Sequence, residues 1–394
     1  MRIACFSPLN PRPTGIADYT ESLLLYLARY ADVDVVVDGY RPANPAVLEH
    51  FRVVDYARFP SLRHTYDACL YHMGNSPFHA YVYDALTRYP GVTVLHDYVL
   101  YRFFKAATLD GLLPAALPRA MAYALGRRGF DLAYQALAGV QPFSDFDYAL
   151  AEPVLDASLG VIVHSAYVRE LIARSRPACP VAQINAPVDL PPDPLPDPAS
   201  LRAELGLPDD AFVVASFGRI DPSKRIDVAL RAFARLRETL PEARYLLVGE
   251  VVPPYDVAAR VRGLGLEGSV VLTGRLALDD FRRYLALPDV CINLRYPTAG
   301  ETSASLLQMM GAGKPVIVSG VGAFSELPDT CCAKVGVGPG EEDRLVHLLL
   351  SLARDAALRR RMGANARQHV LTHHRPDDAA RAMVAFVERV CACA

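Results

Sequence analysis

The chain has 394 residues, 52% of them hydrophobic and 21% charged, with a net charge of −2. That length calls for two cores rather than one, and that composition excludes a disordered chain. Basic and acidic residues number 16 and 18 before position 190 and 25 and 25 from there on, so neither half has the cationic excess of a nucleic-acid binder and no such partner is expected.

In chain order, the apolar runs RIACFS, VDVVVDG, ACLYHM, VTVLHD and GVIVHS predict strands, and amphipathic stretches such as GIADYTESLLLYLARY between them predict helices. On that first helix Tyr19, Leu23, Tyr26 and Leu27 share a face. The N-terminal apolar run breaks at Pro8, too early for a secretory signal. A helical stretch over roughly 100–138 interrupts the alternation and is expected to cover an open side of the first domain. Five prolines in the eleven residues LPPDPLPDPAS predict a stiff connector at 191–200. Strands restart with FVVASFG, RYLLVGE, SVVLTG, VCINL and KPVIVSG, and the chain closes on the helix PDDAARAMVAFVERV. Strands alternating with helices predict an α/β fold of two doubly wound, Rossmann-like domains facing across a cleft. The expected divisions are 1–190 with a helical insert at 100–150, the linker at 191–200, a second domain over 201–375, and a final helix at 376–394 packing back toward the first domain.

The eight cysteines lack metal-site spacing and several sit in apolar runs, so a reducing, cytoplasmic compartment is expected and a metal is not. No stretch reaches the 18 or so apolar residues of a membrane span; weak peripheral contact with the inner face of a membrane stays open. The pattern GLGLEG at 263–268 has a helix before it and a strand after it, the reverse of a dinucleotide fingerprint. GAGKP at 311–315 lacks the upstream glycine and the Ser or Thr of a P-loop.

Chemistry is expected at the carboxyl ends of the strands. After FVVASFG, Gly218 allows a sharp turn, and Arg219 and Lys224 flank Asp221-Pro222 closely enough to grip a diphosphate and to neutralise its charge as it leaves. Only four residues of the chain are lysine against 37 arginines, so a lysine at 224 marks a position where a compact charge is used. A solvated loop pair is the alternative reading. In LRYPTAGETSASLLQMMGAGKPVIVS a helix begins near Thr302–Ser303, and its first N–H groups with the hydroxyls of Thr302, Ser303 and Ser305 form an anion site. Glu301 suits neutral sugar hydroxyls, and Gln308, two turns along, suits a second hydroxyl-bearing group. A simply capped helix is the alternative. Gly15–Ile16 opens the first helix, where a glycine permits close approach of a phosphate. His96 ends an apolar strand, placed to meet an acceptor hydroxyl or the donor sugar; Asp97 beside it reads as a helix cap or as part of that site.

Together PTGIADYTESLL, the pair HD after a strand, FGRIDPSKRID, GETSASLLQMMGAGKPVIVS and the final helix resemble the retaining, GT-B-fold glycosyltransferases of family 4 (glycosyl transferases group 1). The resemblance spans nearly the whole chain apart from the insert and the linker. It implies transfer of a hexose from a nucleotide diphosphate-sugar, GDP-mannose or a UDP-hexose, to a glycan or lipid-linked acceptor, with retention and without a metal or other cofactor. It also implies that Gly15 and the turn at Glu301–Ser303 contact the phosphates and donor sugar, that His96 lines the reaction centre, and that a donor phosphate oxygen helps take the acceptor's proton. The family pattern Glu-x7-Glu falls here on Gly300 and Gln308, with Glu301 one step late. Another enzyme on this scaffold, an epimerase or a phosphorylase, and a non-catalytic sugar-nucleotide binder are the competing readings. The scarcity of lysines leaves little room for a pyridoxal-phosphate phosphorylase.

Overall fold

In the computed structural model, which describes residues 1–140, 143–208 and 210–393, the chain forms two units, each built on its own parallel sheet. The first unit comprises Met1–Val188, Ala299–Thr302 and the chain from His374 on; the second comprises Asp189–Thr298 and Ser303–His373.

The first sheet has seven strands: β1 (Arg2–Phe6), β2 (Asp32–Val37), β3 (Val53–Asp55), β4 (Ala68–Met73), β5 (Val92–Leu95), β6 (Gly160–Val163) and β7 (Val181–Gln183). Their order is β3-β2-β1-β4-β5-β6-β7, with Ile3 opposite Val33 on one side and Ala68 on the other. Helices cover both faces, so strand residues alternate between two apolar cores. On β1, Ala4 and Phe6 join Tyr71, Phe103 and Phe104, whereas Ile3 and Cys5 join Leu23, Leu27 and Val387. The strands β3 and β7, absent from the sequence expectation, are three-residue edges whose apolar runs are too short to read by pattern.

The helical insert is three helices, Tyr101–Leu109, Ala116–Leu125 and Arg127–Leu137, broken at Gly126 with φ +64°. Residues 141–142 of the expected insert lie outside the described residues. Phe103, Phe104, Leu117, Met121 and Ala133 are buried in the core, as a cover requires, while Leu109, Tyr123, Phe130, Tyr134 and Val140 are exposed. The last helix, Pro376–Cys391, belongs to the first unit: Ala380, Val384 and Val387 enter its core, and Asp377 accepts from Arg29 and Tyr30, both at 2.9 Å.

The second sheet has six strands: β8 (Val213–Phe217), β9 (Arg244–Val248), β10 (Val270–Leu272), β11 (Val290–Asn293), β12 (Val316–Ser319) and β13 (Ala333–Val335), in the order β10-β9-β8-β11-β12-β13. The helix Val257–Gly263 precedes β10 and Gly265 takes φ +64°, so the glycine triplet there is a helix end and no dinucleotide loop. Lys314 of GAGKP is spent on the carbonyls of Ala286 and Pro288, at 2.9 and 3.1 Å.

Two expected boundaries move. Residues 299–302, expected in the second domain, join the first unit, because the N–H groups of Tyr98 and Val99 both donate to the Ala299 carbonyl at 2.7 and 3.0 Å. The proline run, expected as a stiff connector, lies on the second unit, where Asp193 pairs with Arg367 at 2.7 Å and Leu190 and Pro191 lie against Gly311. Among the described residues no helix is long and apolar enough to cross a membrane.

Candidate functional site

In a doubly wound sheet, strands on either side of the reversal point send their following loops apart, leaving a crevice at their carboxyl ends. The reversal falls between β1 and β4 in the first sheet and between β8 and β11 in the second. The four loops after those strands carry most of the residues singled out by the sequence.

In the second unit, β8 is followed by Gly218 with φ +97°, a left-handed conformation that a side chain resists. A Cβ there would lie 3.3 Å from Ser305 Oγ and 3.6 Å from Lys224 Nζ, so the glycine backbone sits directly against both. The position also allows a close crossing, since a Cβ on Gly249 would come within 2.0 Å of the Gly218 carbonyl oxygen. Asp221 then caps a short turn, Pro222–Lys224, its Oδ1 accepting from Ser223 N–H at 2.9 Å. Arg219 and Lys224 line one pocket with Ser216 and Asn293. Arg225, adjacent in sequence, points elsewhere and pairs with the buried Glu341.

The loop after β11 is fastened to this turn, because Ser223 O accepts from Tyr296 N–H at 2.8 Å and Ser223 Oγ accepts from Arg295 Nη1 at 3.2 Å. The helix Ala304–Gly311 starts beyond it with Ser303 as its cap. Ser303 Oγ is buried and engaged: it accepts from Leu306 N–H at 3.3 Å and contacts Ser305 Oγ at 3.2 Å. The hydroxyl facing Gly218 and Lys224 is therefore that of Ser305. Gln308 donates from Nε2 to the Asp189 carbonyl at 2.8 Å, and its Oε1 is buried without a partner. One of its two amide N–H donors is thus engaged.

In the first unit, Thr14 caps the helix Gly15–Leu27 and its Oγ1 accepts from Ile16 N–H at 3.2 Å. Gly15 has no positive φ, and a Cβ there would meet nothing within 4 Å, so nothing in the fold itself requires glycine. A glycine closely packed against this helix start is Gly74, after β4, where a Cβ would lie 2.2 Å from Ile16 Cδ1 and 3.3 Å from both Asp97 Oδ2 and His79 Cε1. Asp97 is not a helix cap; its Oδ2 accepts from Asn75 N–H at 2.9 Å and ties the two loops together. His96, half-buried, is held by its N–H to Met73 O at 2.9 Å and by Nε2 to His72 Nδ1 at 3.1 Å. Burial pushes its pKa well below the usual histidine value, with neighbouring His72 and His164 adding to the effect. Glu301 bends back on its own turn, Oε2 accepting from Ala299 N–H at 2.8 Å, and Thr302 beside it is half-buried.

The fold thus gathers Gly218, Arg219, Lys224 and Ser303 in one unit with Gln308 farther along the same helix, and Gly15, Ile16, His96, Glu301 and Thr302 in the other. Sequence reasoning missed Asn293, His72 and His164. Asn293 is 2% exposed with Oδ1 unpartnered, and a polar residue closing the apolar run VCIN was its only mark. His164 had a similar mark, a histidine ending an apolar strand run, and His72 is a histidine inside one. Among the described residues no group of three or more His, Cys, Asp or Glu could hold a metal ion.

Residues 198–369 match the family described as Glycosyl transferases group 1. A D-inositol 3-phosphate glycosyltransferase of Kribbella flavida is 30% identical over 207 residues, covering 48% of this chain and 46% of that protein. The chain therefore spans about half the length of the curated relatives it matches. Among solved structures, the sucrose-phosphate synthase of Thermosynechococcus elongatus superposes with a TM-score of 0.69 at 19% identity, covering 100% of both chains. Anabaena HepE, solved in complex with UDP and glucose, superposes with a TM-score of 0.70 at 18% identity, covering 99% of this chain and 100% of that one. Residues 198–369 thus match the model of the glycosyl transferases group 1 family, and the chain as a whole shares the GT-B fold of these solved structures.

Proposed function

We propose that the protein is a retaining glycosyltransferase that moves a hexose from a nucleoside diphosphate sugar to a glycan or lipid-linked acceptor, without a metal ion. The observation that carries this reading is the pocket at the β8/β11 reversal, where Arg219 and Lys224 stand together and Ser305 Oγ faces the Gly218 backbone. Two cations and a backbone that can be approached closely suit a diphosphate, both bound and leaving. Their charge takes the place that a divalent cation holds in other phosphate-leaving reactions. The exposed backbone of Gly15 at a helix start, where a Cβ would meet nothing within 4 Å among the described residues, suits the approach of a phosphate oxygen. A neutral His96 suits a sugar hydroxyl better than an anion. Exposed Leu109, Phe130, Tyr134 and Val140 on the insert favour an acceptor with an apolar part and peripheral attachment to the inner face of a membrane. All eight cysteines are free thiols, in keeping with a cytoplasmic site of action.

The test is a thermal-shift panel of UDP, GDP and their hexose derivatives, followed by turnover of the ligand that stabilises most. Stabilisation by a nucleoside diphosphate, turnover unaffected by EDTA and an α-linked product from an α-linked donor are expected. No shift with any of them refutes the reading. A second reading, sugar-nucleotide binding without turnover, is favoured by Gln308, a neutral side chain with one amide N–H already given to the Asp189 carbonyl. Release of free hexose from the bound donor excludes it.

A further inference from the structure

Beyond β4, β5 and β6 stands a cluster of imidazoles that the proposed reaction does not yet use. His72 lies within β4, one residue before its end, and is fully buried; His96 and His164 follow β5 and β6. The ring of Tyr19 packs on all three, with centroids 5.7, 4.7 and 5.4 Å from those of His72, His96 and His164. His96 lies 5.4 Å from each of the other two imidazoles, and His79 closes the set, fully buried beside Ser76. Burial lowers His72 to about 3 and both His79 and His164 to about 4. With His96 also held down, every ring is neutral near pH 7 and carries one N–H and one lone pair.

One proton therefore lies between His72 Nδ1 and His96 Nε2, which are 3.1 Å apart. If His96 donated it, His72 would keep its own proton on Nε2, a buried atom with no partner. An orphaned buried N–H is rarer and costlier than an under-used acceptor. If His72 donates instead, its Nε2 is merely a bare lone pair. His164 follows the same pattern: its Nδ1 lies 2.7 Å from the Ile184 carbonyl and must donate, leaving Nε2 unprotonated and unpartnered. We propose that His72 is a positioning residue that donates Nδ1–H to His96 Nε2, so that His96 presents Nδ1–H to the substrate as a hydrogen-bond donor. His96 then cannot be the base that takes the acceptor's proton, because its lone pair is filled by His72. This assignment rests on the glycosyltransferase reading for its purpose but not for its geometry.

Long-range proton–nitrogen NMR on protein with 15N-labelled histidine reads each tautomer without any substrate, with His72→Asn and His96→Gln assigning the peaks. The expected result is His96 as the Nδ1–H tautomer; His96 as Nε2–H or as imidazolium at pH 7 overturns the proposal. In His72→Asn the amide N–H replaces the imidazole donor, so the His96 signal and the kcat for UDP-glucose or GDP-mannose hydrolysis stay near wild type. His72→Asp, once ionised, can only accept, so His96 takes a proton on Nε2 and its signal becomes Nε2–H or imidazolium, with kcat altered by about tenfold or more, the scale of one misplaced proton donor, and KM little changed. An unchanged kcat in folded His72→Asp overturns the proposal. Absence of hydrolysis in the wild-type protein, with the His96 tautomer as expected, overturns the glycosyltransferase reading alone.

Discussion

Lys224 and Arg225 are adjacent cations whose removal should give opposite phenotypes. Lys224 lines the pocket with Arg219, whereas Arg225 pairs with Glu341, whose side chain is only 3% exposed against 28% for the arginine. Removing one partner of a buried pair leaves a charge without compensation and costs about 3–5 kcal/mol, and the partial exposure of Arg225 brings that to about 2–3 kcal/mol. At about 2–4 °C per kcal/mol for a unit of this size, Arg225→Ala should lower Tm by about 4–12 °C. Arg225 also holds φ +55°, so Arg225→Gly relieves backbone strain and should recover about 1 kcal/mol of that loss. Lys224→Ala should leave Tm nearly unchanged, because an intermediate surface position contributes little to folding. Its loss should appear instead as a fall of about 100-fold in kcat/KM, the usual consequence of deleting one charge stabiliser of a leaving group. Differential scanning calorimetry and donor-hydrolysis kinetics on the same preparations decide the matter. Equal Tm losses in the two alanine variants, or equal losses of kcat/KM, refute the division of labour between neighbours.

Three further outcomes follow from the geometry. Gln308→Glu sets a carboxylate against the Asp189 carbonyl now 2.8 Å from an N–H, and should lower stability by about 1–3 kcal/mol in chemical denaturation rather than improve turnover. Gly74→Ala drives a methyl into Ile16 Cδ1 and should reduce kcat/KM, with Ile16→Val in the same chain restoring part of it; no rescue would mean that the two loops are not in contact. Stability should be greatest above pH 6.5 and fall as pH drops toward 4, because His72, His79 and His164 bind protons in the unfolded chain that burial denies them in the folded one. Each contributes a slope of up to about 1.4 kcal/mol per pH unit in that window, so denaturant titrations at pH 6.5 and 5 should differ by more than a single histidine explains.

The sequence by itself determined the kind of fold and the placing of two cations just after a strand end. Period-two burial on both faces writes a parallel strand as a continuous apolar run, so RIACFS, FVVASFG and VCINL were readable one at a time. Gly218, Arg219 and Lys224 were readable because the turn, the cations and the strand end lie within one local stretch. Strand order is a long-range property, and only the tertiary structure puts β8 beside β11 and β1 beside β4, making the loops after those strands the crevices. Only packing separates Arg225 from Lys224, turns Ser305 rather than Ser303 toward Gly218, and ties a Gln308 amide N–H to the Asp189 carbonyl. The same holds for the histidines: 24 residues separate His72 from His96, and a parallel sheet brings them to hydrogen-bond distance because consecutive strands end at the same edge.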